Sequence, residues 1–539
     1  MKYARVLKSV MLIGFVMGQV SLASPQALAQ TSGFTVSALV KRRDRTPDGE
    51  RFFTGDFPFA NLWGLHAINN NGEVVFYTNL QKACAGGLYL VSNGKTSKIP
   101  DPFCNPSSSG FSGSLLGANI NNNTQVPINL YFSQEGFPYA LFLYSDGKLE
   151  RVVGTGDVTP MGTVLHGGGT LQFGAGLSDG PAINDKGEIA FYAQSQDSGG
   201  NDVHAIFVYS AGEIRKVVAT GDSFALGARF GMNPAVSETV RINDKGDVLF
   251  QGAVFPDNND VPSFGFFLAT QDGIKKIAAT PDRLPNAGIF FALSGTGDLN
   301  NRGDVVFAAA FIRERDSAGG IFLDSGNRIS KIAATADPTP IGGTFGVSIS
   351  EEIQRPRMNN NGAIAFLTSV DNGSASKGIF LASATAIVKV AAIGDLLPTG
   401  QKIGDIFTFG LNDKGQVAFF AYGKVKDPRA INTNVLGLFI ATPDVPNIKS
   451  VKLKRRSGVL ELRITGKAMI TNDTVIEING VALNALDYPP DFREDGGFTT
   501  RVVSRDARLE QLIPAGQTVQ VTVFNSLTNL RSALFSLTR

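Results

Sequence analysis

A twelve-residue motif that recurs along the chain is the strongest constraint on its fold. It reads INDKGEIAFYAQ from Ile183, and close variants begin at Ile242, Leu299, Met358 and Leu411. Its asparagine occurs seven times, at intervals of 52, 63, 59, 57, 59 and 53 residues. The seven positions are Asn69, Asn121, Asn184, Asn243, Asn300, Asn359 and Asn412. This period exceeds one coil of a β-helix or one helical repeat, and it approaches the longer repeats of β-propellers.

The motif predicts a tight turn followed by a buried strand. Asparagine and aspartate bond to their own backbone and glycine accepts a positive φ, which favours a turn at Asn-Asp-Lys-Gly. The glycine is kept in six copies, and Thr124 replaces it in the second. A calcium loop is the alternative, but the spacing differs from that of an EF-hand. Behind the glycine, pairs such as Ile189 and Phe191 share one strand face, and the residue between them is also apolar.

Each repeat contains three further segments with strand character. The second strand has a central aromatic residue in every copy, namely Tyr89, Phe142, Phe207, Phe267, Phe322, Phe380 and Phe439. The third strand ends in a repeated aspartate, which we interpret as a turn cap, at Asp157, Asp222, Asp282, Asp337 and Asp395. A fourth segment leads into the next asparagine. Four strands per repeat, covered by the neighbouring repeats, predict a propeller blade.

The last repeat lacks a third strand, and the N-terminal segment can supply it. VSALVKRRDRTPDGERF from Val36 aligns with IRKVVATGDSFALGARF from Ile214, so that Asp44 matches Asp222 and Gly49 matches Gly227. We therefore expect an all-β chain whose residues 34–443 form a seven-bladed propeller closed by the N-terminal strand. Closure removes the free sheet edges, which are an aggregation hazard.

The pattern changes near residue 446, where short alternating strands such as VLELRITG and QTVQVTVFN replace the repeats. Residues 446–539 are predicted to form an immunoglobulin-like β-sandwich, although a Cys–Trp–Cys signature is missing. A chain of 539 residues is too long for one ordinary core, so two domains are expected.

Residues 1–29 have the features of a cleaved signal peptide. Lys2, Arg5 and Lys8 precede an apolar stretch, and Ala27 and Ala29 form a small-residue cleavage site. The apolar run is shorter than the roughly 20 residues that a membrane span needs. We therefore expect a secreted protein, extracellular or periplasmic, with no membrane span after cleavage. The formal charge of +2 falls to about −1 without the three bases, which disfavours a nucleic-acid partner.

Cysteine and histidine are scarce. Cys84 and Cys104 could form a disulfide in an oxidising compartment or remain two free thiols, and the predicted export favours the disulfide. The histidines are His66, His166 and His204, and none of them makes a spaced ligand cluster with the cysteines. No metal and no cofactor are predicted.

A search for catalytic patterns assigns no catalytic residue, because a GxSxG elbow is absent and the aspartates mostly repeat. Charges that break the repeat are more informative. We predict that they line the mouth of the propeller channel and bind a ligand, with a solvated loop as the alternative. These residues are Arg241, Asp298, Glu351, Glu352, Arg355 and Arg357.

The repeats resemble those of bacterial exported proteins with tandem NxxGxxAF repeats and varied anchoring modules, and LRITGKAM and VIEINGVAL resemble IPT/TIG-like domains. The resemblance implies export and a repeat fold, and it implies no catalytic residues. We expect a non-catalytic scaffold that binds an extracellular polymer or protein. The alternatives are a propeller-fold glycoside hydrolase or lyase acting on extracellular polysaccharide, and a surface-layer component.

Overall fold

A computed structural model of the 539-residue chain describes most of its residues. The described ranges are 29–31, 33–53, 67–78, 87–100, 113–132, 139–165, 180–224, 228–231, 240–256, 261–284, 288–313, 316–346, 355–424, 434–483 and 497–539. These ranges consist almost wholly of strands and turns, with one helix of four residues. None of the helical structure in these ranges has the length and apolar character needed to cross a membrane.

Two strands, β1 (Ala29–Thr31) and β2 (Phe34–Lys41), precede the first repeat. Six antiparallel sheets follow, and each is built from one continuous stretch of chain. Sheet 1 contains β3 (Ala67–Ile68), β4 (Val74–Thr78), β5 (Gly87–Ser92) and β6 (Lys95–Lys98), and sheet 2 contains β7 (Gly113–Ala118), β8 (Val126–Phe132), β9 (Tyr139–Ser145) and β10 (Lys148–Gly154). Sheet 3 contains β11 (Val164–Leu165), β12 (Ala182–Ile183), β13 (Ile189–Gln196), β14 (Asp202–Ser210) and β15 (Glu213–Ala219).

The next three sheets follow the same plan. Sheet 4 contains β16 (Arg229–Gly231), β17 (Val240–Ile242), β18 (Val248–Phe255), β19 (Ser263–Thr270) and β20 (Gly273–Ala279). Sheet 5 contains β21 (Arg283–Leu284), β22 (Gly288–Leu299), β23 (Val305–Arg313), β24 (Asp316–Ser325) and β25 (Arg328–Ala334). Sheet 6 contains β26 (Thr344–Gly346), β27 (Arg357–Met358), β28 (Ile364–Asp371), β29 (Lys377–Ala382) and β30 (Ile387–Ala392).

Sheet 7 joins the two ends of the repeat region. It contains β31 (Asp405–Leu411), β32 (Val417–Tyr422) and β33 (Val435–Pro443), and β2 and β1 continue it in the order β1-β2-β33-β32-β31. Strand β2 is antiparallel to β33, with Phe34 opposite Pro443. The Asp44 carboxylate accepts a hydrogen bond of 2.7 Å from the Lys41 amide, as Asp222 does from Ala219 at 2.9 Å. The pairing and this shared bond agree with the sequence alignment.

Aromatic cross-strand pairs fill the sheets. Phe250 on β18 lies opposite Phe267 on β19, their rings stack at 5.6 Å, and Phe230 packs edge-on against Phe267 at 5.2 Å. Each ring pair of this kind contributes about 0.5–1.5 kcal/mol beyond its buried area. The same trio recurs in sheets 5 and 6 as Phe307, Phe322 and Phe290, and as Phe366, Phe380 and Phe345. Every residue of β32 is buried, as predicted for this strand.

The C-terminal residues form two smaller sheets. Their elements are β34 (Asn447–Arg456), β35 (Val459–Ile470), β36 (Thr474–Ile478), β37 (Val481–Ala482), β38 (Phe498–Ser504), α1 (Leu509–Leu512), β39 (Thr518–Asn525), β40 (Leu530–Arg531) and β41 (Phe535–Thr538). One sheet has the order β34-β35-β38, and the other has the order β37-β36-β39-β40, with β41 also paired to β39. Leu462, Ile464, Val502 and Val521 belong to the core between them.

Phe498 connects this C-terminal unit to the repeat region. Its ring lies edge-on to Phe34 of β2 at 6.0 Å, and both rings belong to a core cluster that includes Val388 and Leu527. Gly33 has a φ of 81°, and a Cβ atom there would lie 2.1 Å from the Phe498 ring. Glycine is therefore required at position 33 for both its backbone conformation and this close approach.

Candidate functional site

The repeated asparagine closes its own turn. Asn69 Oδ1 accepts hydrogen bonds of 3.0 Å from the backbone amides of Asn71 and Glu73, while the Gly72 amide donates to the Asn69 carbonyl at 3.0 Å. Gly72 has a φ of 80°, and Thr124 adopts a φ of 60° at the same place in the second repeat. The predicted turn is confirmed, and its geometry depends on the asparagine side chain as well as on glycine.

The same asparagines also bind to one another. Asn69 Nδ2 donates to the Asn121 carbonyl at 3.0 Å, and Asn412 Nδ2 donates back to the Asn69 carbonyl at 2.9 Å. The equivalent bond to the next repeat is made by Asn121, Asn184, Asn243 and Asn359. Asn300 differs, because its amide lies 3.8 Å from the sulfur of Met358 instead. These bonds join the first turn to the last.

The residue after each asparagine forms a second, unbroken ring. Its backbone amide donates to Oδ1 of the corresponding residue in the next repeat, at distances between 2.7 and 2.9 Å. The ring members are Asn70, Asn122, Asp185, Asp244, Asn301, Asn360 and Asp413. The strands that lead into the turns contact one another in the succession β12, β17, β22, β27, β31 and β3. Sheets arranged in this way around an axis form a β-propeller.

A cavity of about 180 Å³ lies at this axis, lined mainly by polar atoms of the two rings. Its carboxylates are those of Asp185, Asp244 and Asp413. Asp413 Oδ1 accepts from the Asn360 amide at 2.7 Å, and Asp413 Oδ2 accepts from Asn70 Nδ2 at 2.7 Å. The described residues contain no group of three or more His, Cys, Asp or Glu side chains placed to hold a metal ion. We interpret these carboxylates as acceptors that hold the ring together.

Further acids stand behind the ring and receive several hydrogen bonds. Glu73 is buried, and its carboxylate accepts bonds from Asn69 Nδ2 at 2.6 Å, Ser92 Oγ at 2.6 Å and Thr124 Oγ1 at 2.7 Å. Burial by itself would raise the pKa of Glu73, but the bonds from Ser92, Thr124 and Asn69 outweigh it and lower that pKa. Asp304 has a lowered pKa for the same combination of reasons, with bonds from Ser325, Asn300 and Arg302.

Three of the charged residues singled out in the sequence lie on neighbouring inner strands. Arg241 on β17 forms an ion pair with Asp298 on β22 (Nε to Oδ1, 3.4 Å), and their side chains are 9% and 14% exposed. Asp298 Oδ2 also accepts a bond of 2.8 Å from the Met358 amide on β27. Arg355 and Arg357, before and on β27, are half-buried. The arrangement ties three sheets together next to the axis.

Other residues named above lie outside the described ranges. These are Glu351, Glu352, Cys84, Cys104, His66 and His166. His204 is described: its Nδ1 is 2.5 Å from the Tyr192 hydroxyl, and the two rings are stacked on sheet 3. The repeated aspartates cap turns, as the sequence predicted. Asp282, for example, accepts a hydrogen bond of 2.9 Å from the Ala279 backbone amide and forms an ion pair of 2.7 Å with Lys276.

Sequence reasoning missed the second ring. A hairpin turn tolerates many residues after the asparagine, yet all seven repeats have Asn or Asp there. The signal for this ring was that every copy has a side chain with an Oδ1 acceptor at this position. A turn alone does not require an acceptor there. The polar residue after the glycine, such as Glu73 or Gln416, was missed for the same reason, although both accept a bond from their own repeat's asparagine.

Several solved structures are similar to this chain. The chain is similar to the β-propeller domain of the Trilobed protease from Pyrococcus furiosus (10% identity, 66% of this chain and 91% of that chain, TM-score 0.35). It is also similar to an acylaminoacyl peptidase from Pyrococcus horikoshii (7% identity, 75% and 57%, TM-score 0.39) and to the polysaccharide lyase Uly1 (10% identity, 77% and 97%, TM-score 0.37).

No curated protein matches the chain significantly. Two overlapping segments, residues 55–233 and 138–441, match one protein family and together span the repeat region from before Asn69 to β33. The chain therefore belongs to DUF7453, a family of unknown function.

Proposed function

We propose that this protein is an exported, non-catalytic binding protein. In this proposal sheets 1–7 are the blades of a seven-bladed propeller over residues 34–443, built from NxxGxxAF-type repeats and closed by β2. Residues 446–539 are an immunoglobulin-like module of the IPT/TIG-like kind. Residues 1–29 are removed on export, and Cys84 and Cys104 form a disulfide.

The observation that carries the binding function is a break in the symmetry of the ring. Two residues before the repeated asparagine, four repeats have small or uncharged residues: Ala67, Asn119, Ala182 and Gly410. The three adjacent repeats have Arg241, Asp298 and Arg357 instead. A charged patch on one side of the axis is not needed to close the ring, since the other four repeats close without it. Charge placed this way favours recognition of an asymmetric ligand.

The patch has a buried part and an accessible part. The Arg241–Asp298 pair is mostly buried, so it positions the inner strands of sheets 4 and 5. Arg355 and Arg357 are partly exposed and can reach a ligand at the mouth. Glu351 and Glu352, which lie outside the described ranges, belong to the proposed site on the ground of their sequence alone. Guanidinium groups favour planar anions because they donate two parallel hydrogen bonds. The ligand is therefore an anionic group on a surface polymer or a protein.

A depletion assay tests the proposal. The chain without residues 1–29 is mixed with insoluble cell-wall and plant polysaccharides, and protein and soluble sugar are both followed in the supernatant. Loss of protein without release of sugar supports a binding protein. Loss with rising soluble fragments means a polysaccharide hydrolase or lyase and overturns the non-catalytic assignment. Protein that stays in solution excludes these polymers as ligands and leaves a protein partner.

Two double variants, compared in the depletion assay, test whether the ligand binds at the channel mouth. Arg355→Ala with Arg357→Ala is expected to reduce depletion about tenfold, because both cations face the ligand in the proposal. Arg45→Ala with Arg328→Ala removes the same charge from two exposed positions, one after β2 and one on β25, and is the matched control. Equal depletion by the two double variants would remove the channel mouth as the binding site.

A further inference from the structure

The C-terminal unit has one sheet face that lies opposite its core. In the sheet β34-β35-β38, Leu453 lies opposite Leu462 and faces the core, whereas Lys452 lies opposite Arg463 on the other side. Alternation along β34 places Lys452, Lys454 and Arg456 on this outer face. All three are exposed, and β34 is an edge strand of its sheet.

The cations of this edge strand are unpaired within the structure as described. Lys452, Lys454 and Arg456 form no ion pair with any acid among the described residues. The neighbouring Lys449 and Lys467 are exposed as well. Three cations at alternate positions of a strand follow one another at about 6.6–6.8 Å. The result is a row of exposed positive charge along one edge of the sheet.

One buried acid organises the middle of this face. Glu461 lies opposite Lys454, is 1% exposed, and accepts a bond from Arg463 Nη2 at 2.6 Å and another from Arg505 Nε at 3.1 Å. The bond from Arg463 is the main cause of its lowered pKa. Burial opposes this effect, and the bond from Arg505 adds to the lowering. Both guanidinium groups are thereby held in place beside the cationic row.

Charge is also divided unevenly along the chain. Residues 446–539 contain 13 Lys and Arg against 9 Asp and Glu, a formal charge of +4. Residues 30–445 contain 33 against 38, a formal charge of −5. A near-neutral total therefore conceals a basic C-terminal unit, which favours an acidic partner for that unit alone.

We propose that the cationic row of β34, at the edge of the sheet β34-β35-β38, binds an anionic polysaccharide that carries carboxylate or sulfate groups. A linear polyanion matches cations that are spaced regularly along one strand. The three strands contain one aromatic residue, Phe498, which is buried against Phe34, so this face offers no ring for stacking nucleic-acid bases. The surface is distinct from the channel mouth, and its role does not depend on ligand binding there.

Retention on immobilised polymers tests the inference. The chain without residues 1–29 is applied to columns of polygalacturonate, dextran sulfate and neutral dextran at about 50 mM salt, then eluted with salt up to about 500 mM. We expect retention on one or both anionic polymers, elution as salt rises, and no retention on neutral dextran. The carboxylate and sulfate columns separate the two anion sources.

The decisive variant replaces Lys452, Lys454 and Arg456 with Gln. It is expected to weaken binding to the retaining polymer about tenfold, because three exposed charges are removed from one row. The matched control replaces Lys95, Lys148 and Arg328 with Gln, which removes the same charge from exposed positions on three propeller sheets. The control should be retained like the unmodified chain.

Three results overturn the proposal. The first is equal retention of the decisive variant and its control, and the second is retention on neutral dextran. The third is tighter binding to double-stranded DNA or to phosphatidylserine vesicles than to either polymer, which would assign the face to a different partner. If the decisive variant self-associates but is retained as strongly as its control, the proposal is also wrong. Lys452, Lys454 and Arg456 would then serve only to protect an exposed sheet edge from aggregation.

Discussion

The side-chain amide of Asn412 donates a hydrogen bond of 2.9 Å to the backbone carbonyl of Asn69, a residue 343 positions earlier in the chain. The backbone amide of Asp413 makes a similar bond of 2.7 Å to Asn70 Oδ1. These contacts join the last turn to the first at the axis, and β2 joins the same two ends of the repeat region by pairing with β33. The beginning and the end of the repeat region are therefore joined at the axis and again through β2.

Removal of the ring amide should destabilise the whole propeller. Asn412 is buried, donates to Asn69 and Gln416, and accepts from the amides of Lys414 and Gln416. We expect Asn412→Ala to lower the free energy of unfolding by about 3 kcal/mol, because several buried groups lose their partners together. Denaturant unfolding followed by intrinsic fluorescence and circular dichroism measures it.

The control for Asn412 is Asn361→Ala. Asn361 is exposed and donates 2.7 Å to the Asp413 carbonyl, so it also links two turns. Its loss should cost less than about 1 kcal/mol, because water can replace an exposed bond. If Asn412→Ala and Asn361→Ala lower the free energy of unfolding by similar amounts, the buried ring bonds stabilise the protein no more than an exposed bond does.

Thr124 tests the balance between backbone strain and a charged hydrogen bond. A β-branched residue at a φ of 60° is strained by about 1–2 kcal/mol, and glycine would relieve this. The hydroxyl, however, donates to the buried Glu73 carboxylate at 2.7 Å, and such a bond is worth about 1.5–3 kcal/mol. We expect Thr124→Gly to lower stability by about 1 kcal/mol and Thr124→Ser, which keeps the hydroxyl, to be neutral. A more stable Thr124→Gly variant would mean that strain dominates.

Deletion of residues 34–50 should lower the melting temperature of the entire propeller. Phe34, Val36 and Val40 on β2 are buried, and the deletion exposes the hydrogen-bonding edge of β33. The control is a chain that lacks residues 1–32 and keeps β2. Differential scanning calorimetry compares the two, and the closure argument is wrong if the deletion of 34–50 melts like its control.

The lowered pKa of Glu73 predicts how the ring responds to acid. Its hydrogen bonds favour the carboxylate in the folded state, so its contribution to stability is complete above the unfolded pKa of about 4.3. That contribution disappears as pH falls through the lower folded-state pKa. Gln125 and Gln416 occupy the same place in other repeats, so Glu73→Gln keeps the geometry and removes only the charge.

We expect Glu73→Gln to be less stable than the unmodified chain at pH 7 and the difference to shrink below about pH 4. Urea unfolding at a series of pH values measures both. Glu150→Gln on β10 is exposed and serves as the control, with no difference expected at either pH. A difference for Glu73→Gln that is independent of pH would show that the ionised carboxylate is not what stabilises this turn.

The Arg241–Asp298 pair should show strong coupling. Asp298→Ala leaves a mostly buried guanidinium without this partner and the Met358 amide without its acceptor, at a cost of about 3 kcal/mol. The double replacement of Arg241 and Asp298 by Ala should cost at least about 1 kcal/mol less than the sum of the single ones. An exposed pair, Lys331 with Asp337, gives the comparison cycle, where coupling below about 1 kcal/mol is expected. If the stability losses of the two single variants simply add up in the double variant, the ion pair between Arg241 and Asp298 does not stabilise the fold.

Local features of this protein follow closely from its sequence. The turn at Asn69, the aromatic strand centred on Phe267 and the cap at Asp222 each depend on residues within a few positions of one another. The pairing of β2 with β33 could also be anticipated, because Asp44 and Gly49 repeat a pattern found after four of the other third strands. Alternation and turn chemistry act over short stretches, so a single repeat contains the information for its own sheet.

The candidate site could be predicted only in part. Arg241, Asp298 and Arg357 stand out because they break the repeat, but their distance from one another along the chain hides that they lie on adjacent strands. The sequence likewise shows a basic C-terminal composition without showing that Lys452, Lys454 and Arg456 share one exposed face with the Glu461-bound guanidinium groups.

The sequence by itself therefore determined the repeat, the strands, the turns and the sheet that joins the two chain ends. Only the tertiary structure decided that Asn412 binds Asn69, that Asp298 joins Arg241 to Met358, and which charges remain exposed. The physical reason is that a turn is set by neighbouring dihedral angles, whereas a hydrogen-bond partner is set by position in space. That position exists only after the sheets have assembled around a common axis.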